Sequence, residues 1–194
     1  MTIHAITHKS ANMYVIAGGS KYVLFDCLWA DSFPIIKSAF KEYGIALPQI
    51  AGMLVSHFHP DHAGAFELLR QHGVTPMVLE WQVPYIEWLN DFFAQPKNDP
   101  SKRYVPIDTK TLTSITPATA ENILRSCGID GKILRTPGHS EDGISLIAGN
   151  AAFVGDLPML ETADAYGGEI AESWREITVC NVTDIYYAHG QVPQ

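Results

Sequence analysis

The sequence is short of cysteine and of positive charge, and it has no long apolar run. Its three cysteines, Cys27, Cys127 and Cys180, are far apart, odd in number and never spaced as Cys-x-x-Cys. This argues against a disulfide framework and against a thiolate zinc knuckle. Lys and Arg number 13 against 21 Asp and Glu, for a formal net charge of -8, so a broad grip on a phosphate backbone is not expected. Lys97, Lys102 and Arg103 form the one tight basic cluster, which reads as a solvated loop. No apolar run is long enough to cross a bilayer, and the N-terminus lacks the apolar stretch of a signal peptide. The expectation is a cytoplasmic protein with no nucleic-acid and no membrane partner. No internal repeat, low-complexity tract or linker is visible, and 194 residues suit a single domain spanning 1–194.

What is present alternates strands with helices. Ile3 to Thr7 reads as a strand. Met13 to Ala17 and Lys21 to Asp26 are β-branched and aromatic, joined by Gly18-Gly19-Ser20 as a hairpin. Asp31 or Ser32 is placed to cap a helix with Pro34 in its first turn, Ile36, Ala39, Phe40 and Tyr43 on one face, and Gly44 as its stop. Ala51 to Val55 reads as a buried strand, and Ala65 to Leu69 as a helix ending at Gly73. Pro76 to Glu80 has strand composition. Tyr85, Trp88, Leu89 and Phe92 have helical spacing, and residues 94–116 read as loop. Pro117 to Cys127 is a helix stopped by Gly128. Lys132 to Arg135, Ile144 to Ala148, Ala151 to Val154 and Ile185 to Ala188 read as strands, with a helix over Glu169 to Glu176. The pattern predicts a layered α/β chain with sheet buried between helices.

Chemistry concentrates at strand ends. Three of the eight histidines fall in His57-Phe58-His59-Pro60-Asp61-His62, directly after an apolar strand. Imidazole and carboxylate are the usual ligands of a hydrolytic zinc ion. Residues two apart on extended backbone face the same way, so His57 and His59 can share one ion. Asp61 and His62 turn into the following helix and can face a second. Three further candidate ligands follow strands: His139 in Thr136-Pro137-Gly138-His139-Ser140, Asp156 after Phe153-Val154-Gly155, and His189 in Tyr187-Ala188-His189-Gly190. Ligands at strand ends converge on one edge of a sheet.

The ordered set His-x-His-x-Asp-His, Gly-His, Gly-Asp and His-Gly, with the opening hairpin and Asp26, resembles the metallo-β-lactamase superfamily. The resemblance spans residues 57 to 190. It implies an αβ/βα sandwich of two mixed sheets flanked by helices. It also implies His57, His59 and His139 on one ion, Asp61, His62 and His189 on a second, and Asp156 bridging. His62 after Asp61 is similar to the glyoxalase II, lactonase and ribonuclease Z branches rather than to the best-known β-lactamases. Two departures are Ala65, where many relatives have glycine, and the end of the sequence at Gln194, where glyoxalase II enzymes carry a further helical domain.

The resemblance implies a hydrolase of a small ester, thioester or lactone. Two zinc ions about 3.5–4 Å apart would hold a bridging hydroxide, with Asp61 orienting it and taking its proton. Iron and manganese are alternative metals. A mononuclear iron oxygenase of the persulfide dioxygenase kind, built on His57, His139 and Asp156, is the leading alternative. A phosphodiesterase is another, which the negative charge disfavours, and a metal-stabilised binding protein is a third. Asp26 reads equally as a partner for a ligand imidazole or as a plain turn residue, and Ser140 as a turn hydroxyl. The stretch Trp81, Tyr85, Trp88, Phe92, Phe93 reads as core packing first, and second as a substrate wall or the face of a homodimer. His4, His8 and His72 lie outside the motif order.

Overall fold

The computed structural model describes residues 1–99, 101 and 103–193; Lys102 and Gln194, named above, lie outside them. Among the described residues, eight strands form two four-stranded sheets. The first sheet has the order β1 (Thr2–His8), β2 (Ala11–Ala17), β3 (Tyr22–Phe25) and β4 (Ile50–Leu54). The second has β5 (Gly131–Arg135), β6 (Ile144–Ala148), β7 (Ala151–Gly155) and β8 (Asp184–Tyr187). In each sheet two antiparallel pairs are followed by one parallel pair. The same path is thus traced twice, although no repeat is visible in the sequence. Helices α1 (Phe33–Glu42), α2 (Pro60–Ala63), α3 (Phe66–Gln71) and α4 (Val83–Ala94) follow the first hairpin. Helix α5 (Pro117–Ser126) leads into the second sheet; α6 (Ala163–Tyr166) and α7 (Gly168–Thr178) fall between β7 and β8.

Side-chain alternation explains the layers. All seven residues of β2 are buried. Ala11, Met13 and Val15 meet the helices of the first half, whereas Tyr14 and Ile16 meet the second sheet. Along β7, Ala151 and Phe153 face the first sheet while Ala152 and Val154 face Trp174 and Ile177 of α7. A strand buried on both faces favours apolar residues at every position, which is why these strands read as apolar runs, with Asn12 of β2 the exception. The middle layer packs Tyr14, Phe25 and Leu54 against Leu146 and Phe153. The result is the expected αβ/βα sandwich of two mixed sheets flanked by helices.

Three local readings need correction. Pro76 to Glu80 is not a strand: Pro76 and Leu79 make only single bridges, to Met53 and Ile115, and a helical turn begins at Glu80. Proline has no N–H to extend the ladder. Ser32 stands at the start of α1 but its hydroxyl makes no capping bond. The short helix α6 has no periodic signal. Helix α4 buries Ile86, Leu89 and Phe93, which leaves Trp88 49% exposed; the aromatic stretch is therefore only partly core.

Candidate metal centre

All seven sequence-predicted residues meet at one edge of the two sheets. His57 follows β4, and His59 stands at the start of α2, which carries Asp61 and His62. His139 lies in the β5–β6 loop, Asp156 directly after β7, and His189 just after β8. Their ligand atoms form three overlapping groups: His57, His59 and His139; His57, His62 and Asp156; and Asp61, His62 and His189. Within each, the atoms lie within 4.8 Å of one another.

The distances are those of groups facing a common centre. His139 Nε2 is 3.1 Å from His59 Nδ1 and 3.5 Å from Asp156 Oδ2. His62 Nε2 is 3.3 Å from Asp156 Oδ2 and 3.5 Å from Asp61 Oδ1. His189 Nε2 is 3.2 Å from both Asp61 Oδ2 and Asp156 Oδ1. Asp156 therefore touches members of every group.

The far nitrogens of three imidazoles are held from outside. His62 Nδ1 donates to Asp26 Oδ2 at 3.0 Å, and His189 Nδ1 donates to the Ser10 carbonyl at 2.9 Å. Ser56 Oγ lies 3.1 Å from Asp26 Oδ2 and 3.0 Å from His57 Nδ1. With Ser56 donating to the carboxylate, its oxygen accepts from His57. In the neutral form of each ring, the form that ligates a metal, the network assigns the proton to Nδ1 and points an Nε2 lone pair inward. Lone pairs then face carboxylate oxygens with nothing between them. His57 Nε2, His62 Nε2 and Asp156 Oδ1 are buried without a hydrogen-bond partner. Buried acceptors left unmatched are costly, and a cation satisfies all of them together. The donor set of five imidazoles and two carboxylates fits zinc or another transition metal.

Asp26 is thus a positioning residue and not a plain turn residue. It is fully buried, accepts from the Ser56 N–H at 2.6 Å, and takes a left-handed φ of 69°. Such strain persists only where the surroundings fix it. Gly155 occupies the matching place at the end of β7, with φ 58°. Ser140 donates to Asp142, whose other oxygen accepts from Phe58 N–H at 2.8 Å, tying the His139 loop to the His57–His62 loop.

The charges follow the same geometry. Burial, followed by the neighbouring His62, His59 and His139, holds His57 well below the usual imidazole range, so it is neutral and ready to ligate. Burial pushes His62 down too, but Asp26 and Asp156 outweigh it and raise its pKa to about 10. Burial raises the Asp156 carboxyl, and the hydrogen bond and charge of His62 with His189 and His139 reverse this, leaving it below the usual range.

Sequence reasoning missed Asn12, Ser10 and the exposed placement of Trp88. Asn12 is a fully polar residue inside the apolar run of β2, which is itself a signal. Its amide donates to the carbonyls of Tyr187 at 3.3 Å and Gly190 at 3.2 Å. The Trp88 ring lies 5.2 Å from the His59 ring and stacks on Phe92 at 5.7 Å. Among the outlying histidines, His4 stacks on Tyr43, His8 lies 3.5 Å from Asp31, and His72 bonds the Leu68 carbonyl.

This fold and this cluster agree with what the chain resembles. The metallo-beta-lactamase superfamily model matches residues 6–178, and the chain belongs to that superfamily; it is a metal-dependent hydrolase. It is 26% identical over 204 residues to a probable metallo-hydrolase, MJ0888, of Methanocaldococcus jannaschii, covering 94% of this chain and 89% of that protein. It is 25% identical over 170 residues to a probable metallo-hydrolase of Bacillus subtilis, YflN, covering 77% of this chain and 63% of that one. Among solved structures, a metallo-beta-lactamase of Cronobacter sakazakii superposes with a TM-score of 0.72 at 15% identity, over 97% of this chain and 75% of the other. No described helix is long and apolar enough to cross a membrane.

Proposed function

We propose that the chain is a two-metal hydrolase, with zinc as the resident ion, that cleaves a small ester, thioester or lactone. The observation that carries this reading is the pair of outer ligand groups, His57-His59-His139 and Asp61-His62-His189, joined through Asp156. The iron oxygenase alternative needs one ion and three ligands, and leaves the Asp61-His62-His189 group without a purpose.

In this reading His57, His59 and His139 hold one ion, Asp61, His62 and His189 the other, and Asp156 lies between. Bound zinc lowers the pKa of a water toward neutrality and polarises the substrate oxygen. The protein's part is to hold the donors rigidly, through Asp26, Ser56 and Ser10, so that little reorganisation is needed during reaction. Asp61 accepts the proton of the attacking water. The water oxygen bonds to the carbonyl carbon, the C–O or C–S bond breaks, and the leaving alcohol or thiol takes up the proton. We place the protein beside the glyoxalase II and lactonase branches because His62 completes the second group.

Elemental analysis of purified protein, with a panel of esters, thioesters and lactones, tests this. Two zinc per chain and turnover on the panel are expected. Asp61→Ala is expected to lose one ion and at least about 10²-fold in kcat. One iron per chain with oxygen uptake, or an Asp61→Ala protein with full metal and activity, overturns the proposal.

A further inference from the structure

The metal cluster has an apolar surface on two sides. On the His59 side stands Trp88, 49% exposed, backed by Phe92. Helix α4 fixes this platform by burying Ile86, Leu89 and Phe93 beneath it. On the other side, Leu157, Pro158, Met159 and Tyr187 line a cavity of about 250 Å³ that includes Asp156 and His189 in its wall. It leads to a broader groove of about 800 Å³ shared by Met159, Tyr187 and His189 and extended by Ile185 and Val192.

Met159 is 57% exposed, yet its segment is anchored. The Trp174 indole donates to the Pro158 carbonyl at 2.8 Å, and the Leu160 N–H donates to the Tyr187 hydroxyl at 3.2 Å. An exposed methionine and an exposed tryptophan on rigid backbone, each beside a metal-ligand candidate, form an apolar rim that water contacts unfavourably. Neither cavity is lined by Lys or Arg among the described residues. Arg135 and Arg175 line a separate cavity beyond Pro137, which contains none of the seven cluster residues and is matched by Glu169, Glu172 and Glu176. A substrate anion would therefore find no Lys or Arg in the walls of the arm beside His189.

We infer that the substrate is an uncharged ester, thioester or lactone carrying an apolar chain, with the chain over Met159 and Tyr187 and a second apolar group against Trp88. The inference rests on the hydrolase reading above and narrows it to apolar acyl compounds.

The test is a p-nitrophenyl ester series of acetate, butyrate, hexanoate and octanoate, together with the mono-p-nitrophenyl ester of a dicarboxylic acid. In the metal-loaded protein kcat/KM is expected to rise by about fourfold per methylene that becomes buried, the equivalent of roughly 0.8 kcal/mol each. The dicarboxylic ester is expected to be poorer than its neutral isostere. Met159→Ser and Trp88→Ala, both at exposed positions, are expected to lower the octanoate-to-acetate ratio of kcat/KM. A flat series in the wild type, or preference for the anionic ester, overturns the inference while leaving the hydrolase intact. No turnover of any ester, thioester or lactone counts instead against the proposed function. Binding of octanamide, followed by calorimetry, then decides the present point: weaker binding to both variants supports it, and equal binding in all three proteins overturns it.

Discussion

Asn12 holds His189 from behind, through the backbone on either side of it. The Asn12 amide reaches the carbonyls of Tyr187 and Gly190, its own N–H donates to the Ala188 carbonyl at 2.7 Å, and its carbonyl oxygen accepts from Thr7 at 2.6 Å. The residue belongs to β2 in the first sheet, whereas His189 follows β8 in the second. One buried side chain therefore sets where the last ligand candidate stands.

Replacing it should separate metal binding from folding. Asn12→Asp keeps the shape but turns two donors into acceptors facing carbonyls. Losing both amide donors, with the Tyr187 carbonyl left to the Tyr14 hydroxyl, is expected to cost about 1–3 kcal/mol and to disturb the Asp61-His62-His189 group first. Calorimetric melting and metal content per chain measure both effects. Unchanged metal stoichiometry would refute the clamp.

Metal uptake should be coupled to a proton on His62. In the metal-free protein its pKa of about 10 means that a proton occupies the site at neutral pH, and a ligand must be deprotonated to bind. Apparent zinc affinity is expected to rise as pH increases toward 10. Titration calorimetry in buffers of different ionisation enthalpy should show proton release. The linked stability has the opposite slope. Because the folded pKa lies above the ordinary imidazole value of about 6.5, the protonated His62 stabilises the metal-free fold fully below that pH. This contribution is lost as pH rises through about 10. Asp26→Asn should remove most of it, seen as a flatter dependence of melting temperature on pH.

Gly155 and Gly149 allow backbone strain to be separated from crowding. Both have a φ of 58°. A Cβ on Gly149 meets nothing within 4 Å, whereas one on Gly155 would lie 2.5 Å from Ser56 Cβ and 2.7 Å from its Oγ. Gly149→Ala should cost about 1–2 kcal/mol, the left-handed penalty alone. Gly155→Ala should cost clearly more and should reduce metal content, since it displaces both Ser56 behind His57 and the neighbouring Asp156. Equal melting temperatures in the two variants would contradict this.

The cluster was legible because histidine is scarce and because His57, His139, Asp156 and His189 each follow a strand, with His59, Asp61 and His62 in the same short run as His57. The layers were legible for a related reason: burial on both faces makes β2, β6 and β7 apolar but for Asn12 and Ser145. Helix α4 shows where the reading stops. Tyr85, Trp88 and Phe92 form one apolar stripe, and Ile86, Leu89 and Phe93 another, turned by about 100°. Periodicity finds the helix but cannot choose between two stripes; the packed first half does so by burying the second. Asp26 presented a similar difficulty. Its partners, Ser56 and His62, are 30 and 36 residues away, and only the pairing of β3 with β4 brings them together.

The twice-traced path of the strands gives the cluster a mechanical role. His57, His59, Asp61 and His62 arrive on the first tracing, and His139, Asp156 and His189 on the second. On the two-metal proposal the ions would be gripped from both sides, as rivets across the seam, so chelation should loosen the two halves against each other before either unravels. Protease cuts in chelated protein would then fall first in the stretch 94–116 that bridges the halves, leaving two fragments that still associate.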